Sequence, residues 1–574
     1  MKKAITVLTL SINTLAFGQF PNDAQETISI NNISAAIRTN GSLFQDDLSP
    51  GFEVPQNSGT HTFYSGSIWI GGLSSNGTTH TAAVTYAQES MQDFWAGPIS
   101  DSTHYVAADT SWNRLWKVTK QDISTHIWNY WQSNYTIPEV ILNWPAHGDT
   151  NKGQAPNLAP FADTNGNGIY EPNLGDYPKI KGDEAVYFIL NDDRLPHTGS
   201  NGEKMRIEIH GMVYGFACFG TESLENTLFV DYSIYNRSQQ TYTETSVGFF
   251  SDLDLGGYSD DFIGSDVQRS TYYVYNGDSI DTPIGGSQAY SGVPPAQGIT
   301  FLSGTLQNSD GIDNAIGFGP GESTNGSGYG DGIIDNEVRG LDHFMYFTQS
   351  GASCCTSPTN AIEYNNYLHG YWKNGEQLTF GGTGIYGQFE SNYMYPGTTD
   401  SLLFGTQGVD PNYVDSRGWC EEAENNSPHD RRGIGSTGSF TFEPGDVQEL
   451  TIAFVFAKSD TGNQHSSVAL MQQYIDEVRD MYNADTTPCG SGVFSSVKPS
   501  ENEVRQSLTI YPNPTSSVLN IQGINENSPY QIFDITGKLI ISGSLSQESV
   551  QVSNLTTGLY FINIEGQSQR FIKK

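Results

Sequence analysis

Basic side chains are scarce in this sequence. Lys and Arg number 27 against 63 Asp and Glu in 574 residues, a formal net charge of −36. Binding to nucleic acid needs clustered cations that release counterions from phosphate, so this balance argues against such a partner. It argues equally against adsorption to anionic lipid. Only 16% of residues are charged, so the imbalance reflects missing Lys and Arg rather than excess acid. Cysteine is also rare, at five residues, which excludes a disulfide-built scaffold. Cys420 with Cys489, and Cys218 with Cys354 or Cys355, is one arrangement the sequence allows; unpaired buried thiols are another.

Familiar catalytic signatures are missing as well. None of the eleven histidines is followed by Glu, so no HExxH zinc site exists. There is no GxSxG elbow, no Walker A loop and no CxxC pair. The string Gly382-Thr-Gly384-Ile-Tyr-Gly387 has no helical pattern after it and reads as a turn. Past the N-terminal segment, no stretch approaches the ~18 apolar residues that a membrane-spanning helix needs.

Glycine and aromatic residues are abundant instead: Gly 62, Tyr 31, Phe 29 and Trp 9. Aromatic side chains favour strands and glycines the turns between them, so the chain reads as mainly β. At ~150 residues per domain the length suggests three or four units. Lys2 and Lys3, the apolar run of residues 4–17 and the small-x-small site Ala16-Phe17-Gly18 predict a secretory signal peptide over residues 1–18. Residues 20–490 read as a multi-unit, β-rich body of two or more subdomains with long acidic loops. One late helix is predicted over 466–482, with Val468, Met471, Ile475, Val478 and Met481 or Tyr482 on its packing face. Residues 491–506 are non-periodic and serine-rich, and read as a linker.

Three loops carry the pattern of a hard-cation site. In the first, oxygen side chains alternate at Asp163, Asn165 and Asn167, with Gly166 and Gly168 between them. Such spacing lets a loop curl around Ca²⁺, with the carbonyl of Ile169 as a further ligand. Position 12 is Leu174 rather than the bidentate Glu of an EF-hand, so Glu171 or Asp176 would complete the shell differently. The second loop places Asp252, Asp254, Asp260, Asp261 and Asp266 within 15 residues, carboxylates that repel unless solvated, protonated or cation-bound. The third, around Asp331 and Asp335 with Asp310 and Asp313 upstream, repeats the alternation less regularly. For each loop a solvated turn without metal is the competing reading, and a Ca²⁺ ion would be structural.

Two histidine-containing stretches complete the chemical inventory. His429-Asp430-Arg431-Arg432 is a charged knot that reads as structural ion pairing, and His210 lies in a strand-like run as a core histidine. Trp112, Trp116, Trp128 and Trp131, and the Tyr371-Trp372 turn, are candidates for stacking on sugars, although strand aromatics more often pack the core.

The C-terminus carries the most specific signal. Residues 518–521, 530–534, 538–542, 549–552 and 559–564 read as short strands separated by turns, a small Ig-like β-sandwich. Tyr511-Pro512-Asn513-Pro514 opens this segment. Asp534-Ile-Thr-Gly537-Lys538-Leu539 lies at its centre, Leu555-Thr-Thr-Gly558-Leu559-Tyr560 follows, and Lys573-Lys574 ends it. In this order the blocks resemble the type A C-terminal sorting domain of Bacteroidetes type IX secretion over residues 507–574. The resemblance implies recognition by the type IX secretion machinery, passage through the periplasm, and delivery to the cell surface or medium, with attachment to surface polysaccharide or release. The body, through Ile68-Trp-Ile-Gly-Gly-Leu73, Trp144-Pro-Ala-His-Gly148 and Tyr367-Leu-His-Gly-Tyr-Trp372 among others, is similar to sorting-domain proteins whose bodies have no assigned activity.

The expectation is therefore a secreted or cell-surface protein with a calcium-stabilised body serving binding or adhesion, extracellular glycans being a candidate partner. A polymer hydrolase with dispersed active-site residues and a structural surface-layer component are the alternatives. Asp252, Asp254 and His210 would be the first substitutions if hydrolysis were observed.

Overall fold

The computed structural model describes residues 23–87, 91–101, 104–105, 111–319, 321–349, 351–491, 494, 509–522, 528–534, 538–545, 549–564 and 567–574. The leader at 1–18 lies outside them, as does the linker at 491–506 apart from residues 491 and 494. The chain divides into two compact units, where length alone suggested three or four. One holds residues 1–162 with 170–497, the other residues 163–169 with 498–574.

Two large antiparallel sheets organise the first unit. The spatial order of the first is His343–Phe347, Arg431–Phe442, Tyr242–Leu253, Ser65–Ser74, Ser42–Leu43, Ser34–Arg38, Phe52–Glu53 and His61–Phe63. The second runs Trp95–Ala96, Glu184–Asn191, Ile207–Gly215, Thr227–Asn236, Val447–Ala457, Ala296–Ser303, Thr271–Asn276 and Asp261–Asp266. Successive strand residues face opposite sides, and in the second sheet both sides are covered. Along Ile207–Gly215, Ile207, Ile209 and Val213 enter one core while Met212 and Tyr214 enter another. Double coverage explains why all nine residues of this strand are buried, Glu208 and His210 included, although the run Ile207-Glu208-Ile209-His210 alternates like a strand with one solvated face.

The larger core lies against residues of both sheets, where Phe44, Phe52, Phe63, Phe249 and Phe454 form a tilted and edge-to-face aromatic cluster. The smaller core lies on the other side of the second sheet and includes Met471, Ile475 and Val478 of the helix Gln464–Asn483. Those residues belong to the face expected from helical spacing. Four shorter helices among the described residues were not anticipated: Glu139–Leu142 and Glu222–Glu225, of one turn each, and two longer ones. Lys120–Asn129 starts at a capping box, with Thr119 Oγ1 accepting from Asp122 N and the Asp122 carboxylate accepting from Thr119 N. Ala361–Leu368 is capped by Asn360 and packs Tyr364 and Tyr367 beside Trp69 and Phe347 of the first sheet.

A disulfide joins Cys218 to Cys489 across 271 residues of sequence. The neighbours Cys354 and Cys355 are bonded to each other, and Cys420 is a free, half-buried thiol. The arrangement that pairs Cys420 with Cys489 is therefore corrected.

In the second unit, Thr509–Tyr511, Val518–Gln522 and Ser549–Gln551 form a three-stranded sheet. Leu539–Ser544, Pro529–Asp534, Gly558–Ile564 and Gln567–Lys573 form a four-stranded one. Leu519, Ile532, Val550, Ile562 and Phe571 share its core. Among the described residues no helix is long and apolar enough to cross a membrane.

Candidate metal centre

The strand Tyr242–Leu253 lies between Ser65–Ser74 and Arg431–Phe442, and its register sets Asp252 opposite Arg432 and Leu253 opposite Arg431. Side chains two residues apart share a face, so Asp254 and Asp430, just past the paired ends, fall on the side of Asp252 and Arg432. Carboxylate oxygens of Asp252, Asp254 and Asp430 accordingly lie within 4.8 Å of one another. No other described Asp, Glu, His or Cys side chains form such a group.

Hydrogen bonds fix one side of the cluster. Tyr86 Oη donates to Asp252 Oδ2 at 2.7 Å, and Arg432 Nε donates to Tyr86 Oη at 2.8 Å. The same guanidinium reaches Asp252 Oδ2 at 3.1 Å and Asp430 Oδ1 at 2.8 Å. Asp252 is 3% exposed, yet its Oδ1 accepts no hydrogen bond. An unpaired buried oxygen costs desolvation that nothing in the fold returns. Three carboxylates against one guanidinium leave two negative charges unbalanced. Burial, partly offset by Arg432 and reinforced by Asp430, pushes the Asp252 carboxyl up to about 6. Asp254 is driven well above the ordinary carboxylate range by burial and then by the Asp252 and Asp430 charges. Such a charge imbalance is relieved by bound protons or by a divalent cation. Hard carboxylate oxygens suit Ca²⁺, which takes 6–8 oxygen ligands.

The remaining carboxylates of the second loop take different partners. Asp261 is fully buried; its Oδ2 accepts from Leu255 N at 3.1 Å and its Oδ1 has no partner. Burial raises its carboxyl well above the usual range, and the charges of Asp260, Asp281 and Asp254 add to this. Asp260 Oδ2 accepts from Thr282 N and Oγ1, and Asp266 pairs with Arg269 at 3.0 Å. The two loop segments around Asp313 and Asp335 interlock through backbone donors. Gly330 N and Gly332 N donate to Asp313, and Asp310 N and Gly311 N donate to Asp335 Oδ1. Asp331 receives Ile333 N and Asn336 Nδ2.

In the first loop Asp163 accepts from Gly166 N at 2.7 Å and Gly168 N at 2.6 Å. Asn165 and Asn167 each accept from the amide two residues on. Gly166 and Gly168 have φ of +73° and +75°, values that a side chain would strain. Separately, Asp176 is fully buried and its Oδ2 accepts from Glu171 N at 2.8 Å. Ile169 is 57% exposed.

His210 Nε2 lies 3.1 Å from Glu208 Oε1, which also receives Arg237, an internal ion-paired knot. Arg431 pairs with the buried Glu421 at 2.7 Å, so the two arginines of the charged knot serve different carboxylates. Of the aromatic candidates, Trp116 and Trp372 are buried, whereas Trp128 and Trp131 stay 43% and 52% exposed.

Asp430 is the member of the metal candidate that the loop pattern missed. Its proximity comes from strand register, and the carboxylate preceding two arginines was the visible clue. Residues 509–574 match the family model described as a secretion system C-terminal sorting domain. No curated protein matches the chain.

Proposed function

The chain is a type IX secretion sorting-domain protein, and from that premise we propose that its body works outside the cell as a calcium-stabilised binding or adhesion module. The sorting domain implies type IX machinery and secreted or cell-surface export. The proposed route runs through the periplasm, with residues 1–18 as the leader. The observation that carries the metal half of the reading is the buried Asp252 Oδ1 without a partner, set among three carboxylates and one guanidinium. Ca²⁺ between Asp252, Asp254 and Asp430 would supply the two missing positive charges. Such an ion binds the folded chain alone and stabilises it by mass action. The loops around Asp163 and Asp331 are secondary candidates for the same cation. The binding half is supported by Trp128 and Trp131, whose half-exposed indoles suit the face of a sugar ring.

Thermal melting of the purified full chain in calcium and in EDTA tests the metal reading. A higher Tm in calcium is expected, and identical curves would refute it. A glycan array probed with and without calcium tests the binding reading. Calcium-dependent retention supports it, and no retention under either condition counts against it.

A further inference from the structure

A polar cleft in the first unit collects hydrogen-bonding side chains, of which Glu322 and Asp342 accept from backbone amides while others are left unused by the fold. The strand His343–Phe347 supplies His343, and the loops before and after it supply Glu322, Arg339, Asp342, Asn392 and Gln407. His343 is half-buried, and neither ring nitrogen bonds to a described protein atom. Burial, with His369 and Arg339 nearby, pushes its imidazole down to about 3, so it lines the cleft as a neutral donor and acceptor. The guanidinium of Arg339 makes one long contact, 3.5 Å to Asp342 Oδ2, and its buried Nε has no partner. Asp342 Oδ2 also accepts from Gly438 N at 3.0 Å. Asn392 uses its backbone N–H and C=O to bond Gly405 and Phe344, leaving its carboxamide free. The Gln407 side chain is exposed, and Phe318 stands at the rim, 51% exposed.

The chemistry of this lining narrows its ligand. Glu322 and Asp342 oppose an anion, while Arg339 opposes a cation. Two carboxamides and a neutral imidazole each offer paired donor and acceptor atoms, which suit neighbouring hydroxyls. A half-exposed ring at the mouth suits the C–H face of a pyranose. Pockets that bind small molecules combine such convergent polar groups with an apolar wall. We propose that this cleft is a saccharide-binding site, with Asn392, Gln407, His343 and Arg339 bonding sugar hydroxyls and Phe318 stacking on the ring. This deepens, and rests on, the reading of the body as a binding module.

Saturation-transfer NMR on the full chain in calcium tests it. The probes are glucose, galactose, mannose, N-acetylglucosamine, fucose and xylose at millimolar concentration, and inorganic phosphate in a separate arm. At least one sugar should bind. The double variant Asn392→Ala/Gln407→Ala, which removes no internal hydrogen bond of those side chains, should weaken it by about tenfold or more. Phe318→Ala should weaken the same sugar independently. Sugar binding that survives both cleft variants would overturn the cleft assignment and leave the binding reading standing. No sugar bound by the wild-type chain would overturn both. Displacement of the sugar by phosphate would overturn the saccharide assignment in favour of an anion site.

Discussion

Replacing Asp254 by Asn should make the calcium-free protein more stable and remove most of its response to calcium. Asp254 has no hydrogen bond or ion pair among the described residues, and its nearest charges include Asp252 and Asp430. At an effective dielectric of ~20, two unit charges 4.8 Å apart repel by about 3.5 kcal/mol. Arg432 and proton uptake offset part of that repulsion, so removing the Asp254 charge should gain on the order of 1–3 kcal/mol at neutral pH in EDTA. The sign with pH follows from linkage. A carboxyl whose folded pKa is raised binds protons more readily in the folded state, so stability falls as pH rises. For Asp252 the fall runs from the unfolded value near 4 to about 6 and costs roughly 3 kcal/mol once complete. Asp254 extends the window upward. Saturating calcium should abolish the slope in the wild type, and a 100-fold excess over Kd should add about 2.7 kcal/mol. Urea midpoints across pH 4–8, with EDTA or calcium, measure all of this. A D254N variant that is less stable in EDTA, or that still responds fully to calcium, would refute the reasoning.

Other outcomes follow from features outside the cluster. His197 is buried with its ring nitrogens 2.8 Å from the carbonyl oxygens of Thr81 and Asp192, and close to the carboxylates of Asp93 and Asp192. His197→Leu should therefore cost about 3–5 kcal/mol in urea unfolding, whereas His465→Leu, with a ring 55% exposed, should cost far less. Replacing Cys218 and Cys489 by Ser opens a link spanning 271 residues and should lower stability by about 2–5 kcal/mol, an effect that reducing agent should reproduce in the wild type. Deleting residues 509–574 should abolish surface delivery, read by protease accessibility on intact cells.

What could be read from the sequence follows the range of the interactions concerned. The C-terminal blocks around Tyr511 and Gly558 are local patterns, and the family match covers the segment they mark. Asp252 and Asp254 were visible because they are two residues apart. That Asp430 joins them was not, because Arg432, two residues on, meets Asp252 only through pairing 180 residues along the chain. The Cys218–Cys489 link is equally remote in sequence, and no local spacing encodes it. Helix Lys120–Asn129 did leave a trace, the Thr119-x-x-Asp122 capping box, although its apolar face is short and only Ile123 and His126 are buried. Trp372 sits in a polar-looking turn, but its ring is buried and donates to the Gly384 carbonyl at 2.9 Å. Turn residues say where the backbone bends, while the packing of a neighbouring aromatic ring depends on distant elements.

The most direct measurement is anomalous diffraction from crystals of the full chain grown in calcium. A peak about 2.3–2.6 Å from oxygens of Asp252, Asp254 and Asp430 is the expected result. A cluster without such a peak at saturating calcium, with Arg432 as its only counter-charge, would contradict the proposal that a cation completes the exported body.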